Sequence, residues 1–194
     1  EDRDEEAFLL HVMNDDGTEI RQISFNQSSD LDPAILGDGR VVFSRWDNVN
    51  NINRISLYSM NPDGSNLQLL YGVHSHDTGP DGEFIEFMKP RELPDGRLLA
   101  LLRPPANQSR GTTIPVIIDT STYVENVQPT FENSGLLRPA QEFLIEGVLS
   151  FDEDEPNLAG RYTSFWPLFD GTDRMVAAWS QCRLVDAITD PDEP

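Results

Sequence analysis

One element recurs along this chain and constrains its fold more than anything else: an apolar strand ending in Met-Asn, one intervening residue, Asp-Gly, a small polar residue, and a return to an aliphatic position. Phe8 to Ile20 carries it at Met13-Asn14-Asp15-Asp16-Gly17-Thr18, and Ser56 to Leu67 repeats it at Met60-Asn61-Pro62-Asp63-Gly64-Ser65, an offset of 47 positions from Asn14 to Asn61. The Asp-Gly pair supplies the positive φ of a tight hairpin turn, and apolar residues on both sides can then pair across it. Each copy therefore predicts a β-hairpin.

A second unit accompanies the first. Leu36-Gly37-Asp38-Gly39-Arg40-Val41-Val42-Phe43 and Leu93-Pro94-Asp95-Gly96-Arg97-Leu98-Leu99-Ala100-Leu101 both place Asp-Gly and a basic residue ahead of a continuous apolar run, and Leu168-Phe169-Asp170-Gly171-Thr172-Asp173-Arg174-Met175-Val176 is a looser third copy. An unbroken apolar run of this length after a turn predicts an inner strand buried on both faces. The 14 Pro and 13 Gly fall between such runs, as they do in a protein built of strands and turns.

Taken in order, the units divide the chain into three repeats, 7–46, 55–103 and 114–180. Repeats of roughly 40 to 50 residues with several short strands each are those of a β-propeller. The expected fold is thus all-β, about three four-stranded antiparallel blades belonging to a larger propeller, because closed propellers have about four to eight blades. The third repeat is stretched, and its run Phe143-Leu144-Ile145 reads as an insertion or an extra strand. Residues 186–194 form an acidic, Pro-rich tail.

Charge narrows the partners. With 34 acidic against 14 basic side chains, a net charge of −20, the chain would be repelled by phosphate backbones, so nucleic acid is a poor partner. No apolar stretch reaches the roughly 18 to 20 residues of a membrane span. The opening Glu1-Asp2-Arg3-Asp4 lacks an initiator Met and a signal-peptide pattern, which predicts an N-terminus processed or lying upstream. Cys182 is the single cysteine, so the chain holds no internal disulfide and no Cys-rich zinc site; a buried, inert thiol or a partner outside this segment are the two readings for it.

At this point the residues resemble the TolB-type propeller repeat, in which Met-Asn-x-Asp-Gly-[Ser/Thr]-x-aliphatic is followed by Asp-x-x-Pro and then by Asp-Gly-[Lys/Arg] and an apolar run. Asn14 to Ile20, Asp30-Leu31-Asp32-Pro33 and Asp38 to Phe43 carry one full copy, and Asn61 to Leu67 with Asp95 to Leu99 carry a second. More narrowly, Leu70 to Asp77 and Trp179 to Leu184 are similar to the propeller domain in the middle of hydrazine synthase alpha-subunit-like proteins. That resemblance implies a large exported protein, periplasmic or extracellular, with a lipid anchor through an N-terminus missing here. The family's haem chemistry does not come with it, because the chain has no Cys-x-x-Cys-His.

The sharpest candidate site is a metal held by His74, His76 and Asp77. Two histidines two residues apart on an extended strand point the same way, close enough to share a divalent zinc or copper ion, with His11 or a carboxylate from another blade as a further ligand. The bland alternative is a polar loop near a turn. Asp15 to Glu19, Asp77 to Glu83 and the run Phe151 to Pro156 offer oxygen ligands for calcium without the twelve-residue calcium-loop pattern. Asn26-Gln27-Ser28 and Asn107-Gln108-Ser109 fit the N-glycosylation acceptor pattern. Neither a Gly-x-Ser-x-Gly elbow nor His-Glu-x-x-His is present. Three readings follow: an exported noncatalytic binding or scaffolding propeller that takes a protein or ligand partner; the propeller part of a larger exported redox or hydrolytic enzyme, with a metal near His74 and His76; and a calcium-stabilised extracellular structural module.

Overall fold

The computed structural model describes residues 6–49, 52–105, 113–145, 151 and 160–180. Strands β1 (His11–Val12) and β2 (Arg21–Gln22) form a hairpin. A first four-stranded antiparallel sheet follows, with β3 (Asp30–Ile35), β4 (Val41–Val49), β5 (Ile52–Met60) and β6 (Gln68–Tyr71) lying in chain order. The second has β7 (Glu86–Glu92), β8 (Leu98–Arg103) and β9 (Ile114–Ile118); its connection from β9 carries a small hairpin, β10 (Tyr123–Glu125) and β11 (Gln128–Pro129), before β12 (Gln141–Phe143) completes the sheet beside β9. Strands β13 (Arg161–Pro167) and β14 (Met175–Ser180) form a last hairpin. The fold is all-β, a stack of antiparallel sheets in the manner of part of a propeller.

Turn chemistry explains the hairpins. In the first sheet Leu36 N–H donates to the Arg40 carbonyl at 2.8 Å and Gly39 N–H to the Leu36 carbonyl at 2.9 Å; Leu93, Arg97 and Gly96 reproduce both bonds at 2.8 and 2.9 Å. The basic residue of the motif serves this turn, since Arg40 Nε donates to Asp38 Oδ2 and Arg97 Nε to Asp95 Oδ2, each at 2.7 Å. Gly39 and Gly96 hold φ of 87° and 84°, left-handed values that a side chain would oppose.

The phase of the repeat differs from the sequence expectation. Asp-Gly-Arg joins the first and second strands of a sheet, and Asn-x-Asp-Gly joins the third and fourth, so the sheets span Asp30–Tyr71 and Glu86–Phe143. The repeats 7–46, 55–103 and 114–180 straddle them by half a sheet. The long β4–β5 ladder, in which Val41 pairs with Met60 and Trp46 with Ile55, joins strands that these bounds assign to different repeats; and Val116 to Ile118, at the start of the expected third repeat, lies in the third strand of the second sheet. Phe143 ends its fourth strand, opposite Val116. The tail 186–194 and Cys182 lie outside the described residues.

Three apolar layers alternate with these sheets. Leu10 and Ile23 pack with Val41, Phe43 and Met60 between the β1–β2 hairpin and the first sheet. Val42, Leu57 and Tyr71 meet Phe87, Leu98, Ala100 and Leu102 between the two four-stranded sheets, and Leu99 and Leu101 meet Phe165 on the far side. Strand β8 is thus buried on both faces, as its continuous apolar run predicts, and each such Leu contributes about 1.5 to 3 kcal/mol. The first strands β3, β7 and β13 lie side by side. Both β3 and β7 bulge before a proline: Asp32 (φ 54°) precedes Pro33 and Lys89 (φ 51°) precedes Pro90, and Lys89 N–H donates to Asp32 Oδ2 at 3.3 Å.

Candidate functional site

The chain passes from the last strand of the first sheet to the first strand of the second through Gly72 to Ile85, and the predicted site lies in this crossing. Gly72 sits at φ 100°, where a Cβ would fall 2.7 Å from the Phe87 ring, so the turn requires glycine. The segment then folds into turns instead of continuing as a strand. That undoes the alternation which would have set both rings on one side: His74 and Asp77 are exposed, while His76 is buried.

His76 is held on every side. Its Nδ1 lies 2.6 Å from the Ile85 carbonyl oxygen, which can only accept, so Nδ1 carries the proton and Nε2, 3.1 Å from Ser56 Oγ, accepts from that hydroxyl. The ring stacks on Phe84 at 5.3 Å and leans on Phe87 at 5.6 Å. Burial pushes its pKa down to about 4, against the opposing pull of the Ile85 hydrogen bond. Both ring nitrogens are engaged; a metal at Nε2 would have to displace Ser56.

A carboxylate that sequence reasoning missed organises the same crossing. Glu125, on the hairpin inserted after β9, accepts at Oε2 from the His74 N–H at 3.0 Å and from Ser75 Oγ at 2.6 Å, while Asn126 N–H donates back to Ser75 Oγ at 2.8 Å. Gln141 of β12 donates to Tyr71 Oη and Thr78 Oγ1, both at 2.9 Å. Buried acceptors and donors are thereby matched between segments remote in sequence. No local signal marks Glu125, because its partners are supplied only by folding.

A second polar feature repeats with the sheets. Asp30 at the start of β3 stands opposite Arg45 of β4, and Glu86 at the start of β7 stands opposite Arg103 of β8. Both acids are buried. Arg103 Nε donates to Glu86 Oε2 at 3.0 Å, whereas Arg45 Nε is 3.7 Å from Asp30 Oδ1 and lies over the Tyr58 ring. Burial raises the Asp30 pKa; Tyr58 is pushed up to about 12, first by burial and then by Asp47, whose Oδ2 accepts its hydroxyl at 3.0 Å. Comparing the two copies of the repeat could have found these pairs.

The remaining candidates resolve into local structure. Asp16 Oδ1 accepts from Thr18 N–H and Oγ1, closing the first turn. Pro80–Gly82 is a single turn of 3-10 helix. The amide of Asn26 donates to the Ser29 and Trp46 carbonyls and to Asp30 Oδ1, which occupies the nitrogen a glycan would need. His11 stands exposed on β1, in the first hairpin, whereas His76 lies in the crossing between the two four-stranded sheets. Among the described residues no three His, Cys, Asp or Glu side chains converge on one point. Residues 152–156 and Asn107 lie outside the described residues.

The stack of sheets can now be compared with known proteins. No family model matches the chain, and no curated protein sequence matches it. Among solved structures it is similar to hydrazine synthase of Kuenenia stuttgartiensis, with a TM-score of 0.58 at 20% identity. The likeness covers 89% of this chain and spans 19% of that one. At that identity it carries the propeller-like fold alone. Among the described residues no helix is long and apolar enough to cross a membrane.

Proposed function

We propose that this chain is a noncatalytic binding or scaffolding propeller module of an exported protein, acting through contacts with a protein partner or with further domains of the same protein. The observation that carries the reading is the apolar character of both outer sides of the stack: Phe25 and Ile35 stand 79% and 66% exposed beside the β1–β2 hairpin, and Trp166 and Val176 each 59% exposed on the last hairpin. Apolar surface of this kind on a sheet is where a neighbouring sheet docks. The repeated turns also support a TolB-type lineage within this reading.

The test uses the longest natural product containing these residues. Ile35→Glu and Val176→Glu are expected to weaken its assembly or partner binding while leaving the melt of this segment cooperative. Assembly unchanged by both substitutions would overturn the reading.

A second reading is the propeller part of a larger exported redox or hydrolytic enzyme with a metal near His74 and His76. Turnover by that longer product, lost when this segment is deleted and when His74 and His76 are both replaced by alanine, would decide for it.

A further inference from the structure

Asp-Gly pairs begin at Asp16, Asp38, Asp63, Asp81, Asp95 and Asp170, and all of these aspartates are exposed. At such a pair the glycine nitrogen can attack the aspartate side-chain carboxyl, because glycine carries no side chain to hinder the approach. The fold does not hold these carboxyls alike.

In the five pairs other than Asp81-Gly82, the carboxylate is tied to the residue two positions on. Asp16 Oδ1 accepts from the Thr18 N–H and Asp63 Oδ1 from the Ser65 N–H, each at 2.9 Å, and Asp38, Asp95 and Asp170 accept from the N–H groups of Arg40, Arg97 and Thr172, each at 3.0 Å. The same residue gives a second bond, from the hydroxyls of Thr18, Ser65 and Thr172 or from Nε of Arg40 and Arg97. The hydroxyl bonds hold the carboxyls of Asp16, Asp63 and Asp170 below the usual carboxylate range, and the Arg40 N–H does so at Asp38. Ring closure needs a carboxyl that is protonated and released, and these bonds oppose both.

Asp81 is held differently. It takes a left-handed φ of 56°, which none of the other five does, and the turn then closes with the Glu83 N–H donating to the Pro80 carbonyl at 3.1 Å in place of the Asp81 carboxylate. Among the described residues that carboxylate accepts no hydrogen bond and joins no ion pair. Local sequence is not the cause, since Pro62-Asp63-Gly64 and Pro94-Asp95-Gly96 repeat Pro80-Asp81-Gly82 residue for residue. Nor is the glycine N–H: Gly82 donates to the Gly79 carbonyl at 3.0 Å, and Gly17, Gly39, Gly64 and Gly96 make the equivalent bond at 2.9 to 3.0 Å.

We propose that Asp81 is a site of spontaneous modification, isomerising to isoaspartate faster than the aspartate of any other Asp-Gly pair in the chain. The Gly82 nitrogen bonds to Asp81 Cγ, and its proton and the carboxyl hydroxyl leave as water. Water then reopens the five-membered succinimide; when it cleaves the bond between nitrogen and the original backbone carbonyl, the main chain is left running through Cβ and Cγ with a free α-carboxylate. The added main-chain carbon enters just ahead of Ile85, whose N–H donates to the His76 carbonyl at 2.7 Å and whose own carbonyl accepts from His76 Nδ1.

The test ages the full chain, folded, at neutral pH, and measures isoaspartate in each of these peptides by enzymatic methylation of the free α-carboxylate and mass spectrometry. Asp81 is expected to lead each of the others by about tenfold, the effect of one charge-assisted hydrogen bond that need not break. In urea, where the turns are gone, Asp63 and Asp95 are expected to match it. Equal rates in the folded chain, a faster site elsewhere among the pairs, or the same lead for Asp81 in urea overturns the proposal. Hydrogen exchange at the Ile85 amide is expected to quicken in the isoaspartate fraction, and an unchanged amide overturns the reach to His76.

Discussion

His76 Nδ1 sits 2.6 Å from the carbonyl oxygen of Ile85 and Nε2 sits 3.1 Å from Ser56 Oγ, so the buried ring is fixed as one neutral tautomer. Protonation would put a second donor opposite Ser56 and a charge among Phe84 and Phe87. With the folded pKa near 4 and the unfolded value at 6.5, the unfolded chain binds the extra proton between those limits. Stability is therefore complete above about pH 6.5 and is lost as pH falls toward 4, by up to about 3 kcal/mol. The comparison that isolates this term is urea unfolding of wild type against His76→Gln across pH 4 to 7. The difference between the two should shrink as pH falls, even though neutralising carboxylates in so acidic a chain changes both proteins.

The two histidines of the crossing should respond unequally. His74 is exposed, and its backbone N–H, unlike its ring, is what Glu125 binds, so His74→Ala should change stability by no more than about 0.5 kcal/mol. His76→Ala removes a buried ring with two hydrogen bonds and two aromatic contacts and should cost about 2 to 4 kcal/mol. Zinc or copper bound by His74, His76 and Asp77 would instead make the residues equivalent, each substitution abolishing a metal-dependent rise in melting temperature. Melts with and without added metal distinguish the two outcomes.

Glu125 ties the inserted hairpin to the same crossing. Glu125→Ala leaves the His74 N–H and the Ser75 hydroxyl without their acceptor, and the expected loss is about 2 to 3 kcal/mol in urea. Glu125→Gln keeps an acceptor oxygen and should lose less. Hydrogen exchange at His74 and Asn126 should quicken in the alanine variant and leave the β4–β5 ladder protected, because the change opens a connection and not the sheet.

Much of this architecture can be read from the sequence because its turns are chemically determined. Asp38-Gly39-Arg40 and Asp95-Gly96-Arg97 specify the same hairpin twice, down to the arginine that closes each turn. The phase of the repeat cannot be read that way. Whether β4 pairs forward with β5 depends on a ladder that runs from Val41 opposite Met60 to Asn48 opposite Asn53, and no Asp-Gly or Asn-Gly pair in the sequence between them announces a hairpin. The shared face expected of His74 and His76 could not be judged from spacing for a related reason: two residues on a strand face one way, but Gly72 at φ 100° turns the chain out of the strand first. Glu125 and the Asp30–Arg45 and Glu86–Arg103 pairs acquire their meaning from neighbours that only the stacked sheets bring close.

Gly72 offers a way to measure what that turn contributes. Alanine there meets two penalties, the left-handed backbone at φ 100° and a Cβ placed 2.7 Å from Phe87 Cε2, and the sum should be about 2 to 4 kcal/mol. A cycle with Phe87→Leu separates them. The smaller side chain loses packing of its own, since Phe87 is fully buried against Tyr71 at 5.5 Å, but it also makes room for the new methyl. The double variant should therefore be more stable than the two single losses added together, by about 1 kcal/mol or more. Strict additivity would assign the whole cost to the backbone. An unchanged stability for Gly72→Ala alone would mean that the crossing does not leave β6 at this residue, and the outward placement of His74 and inward placement of His76 would lose their cause.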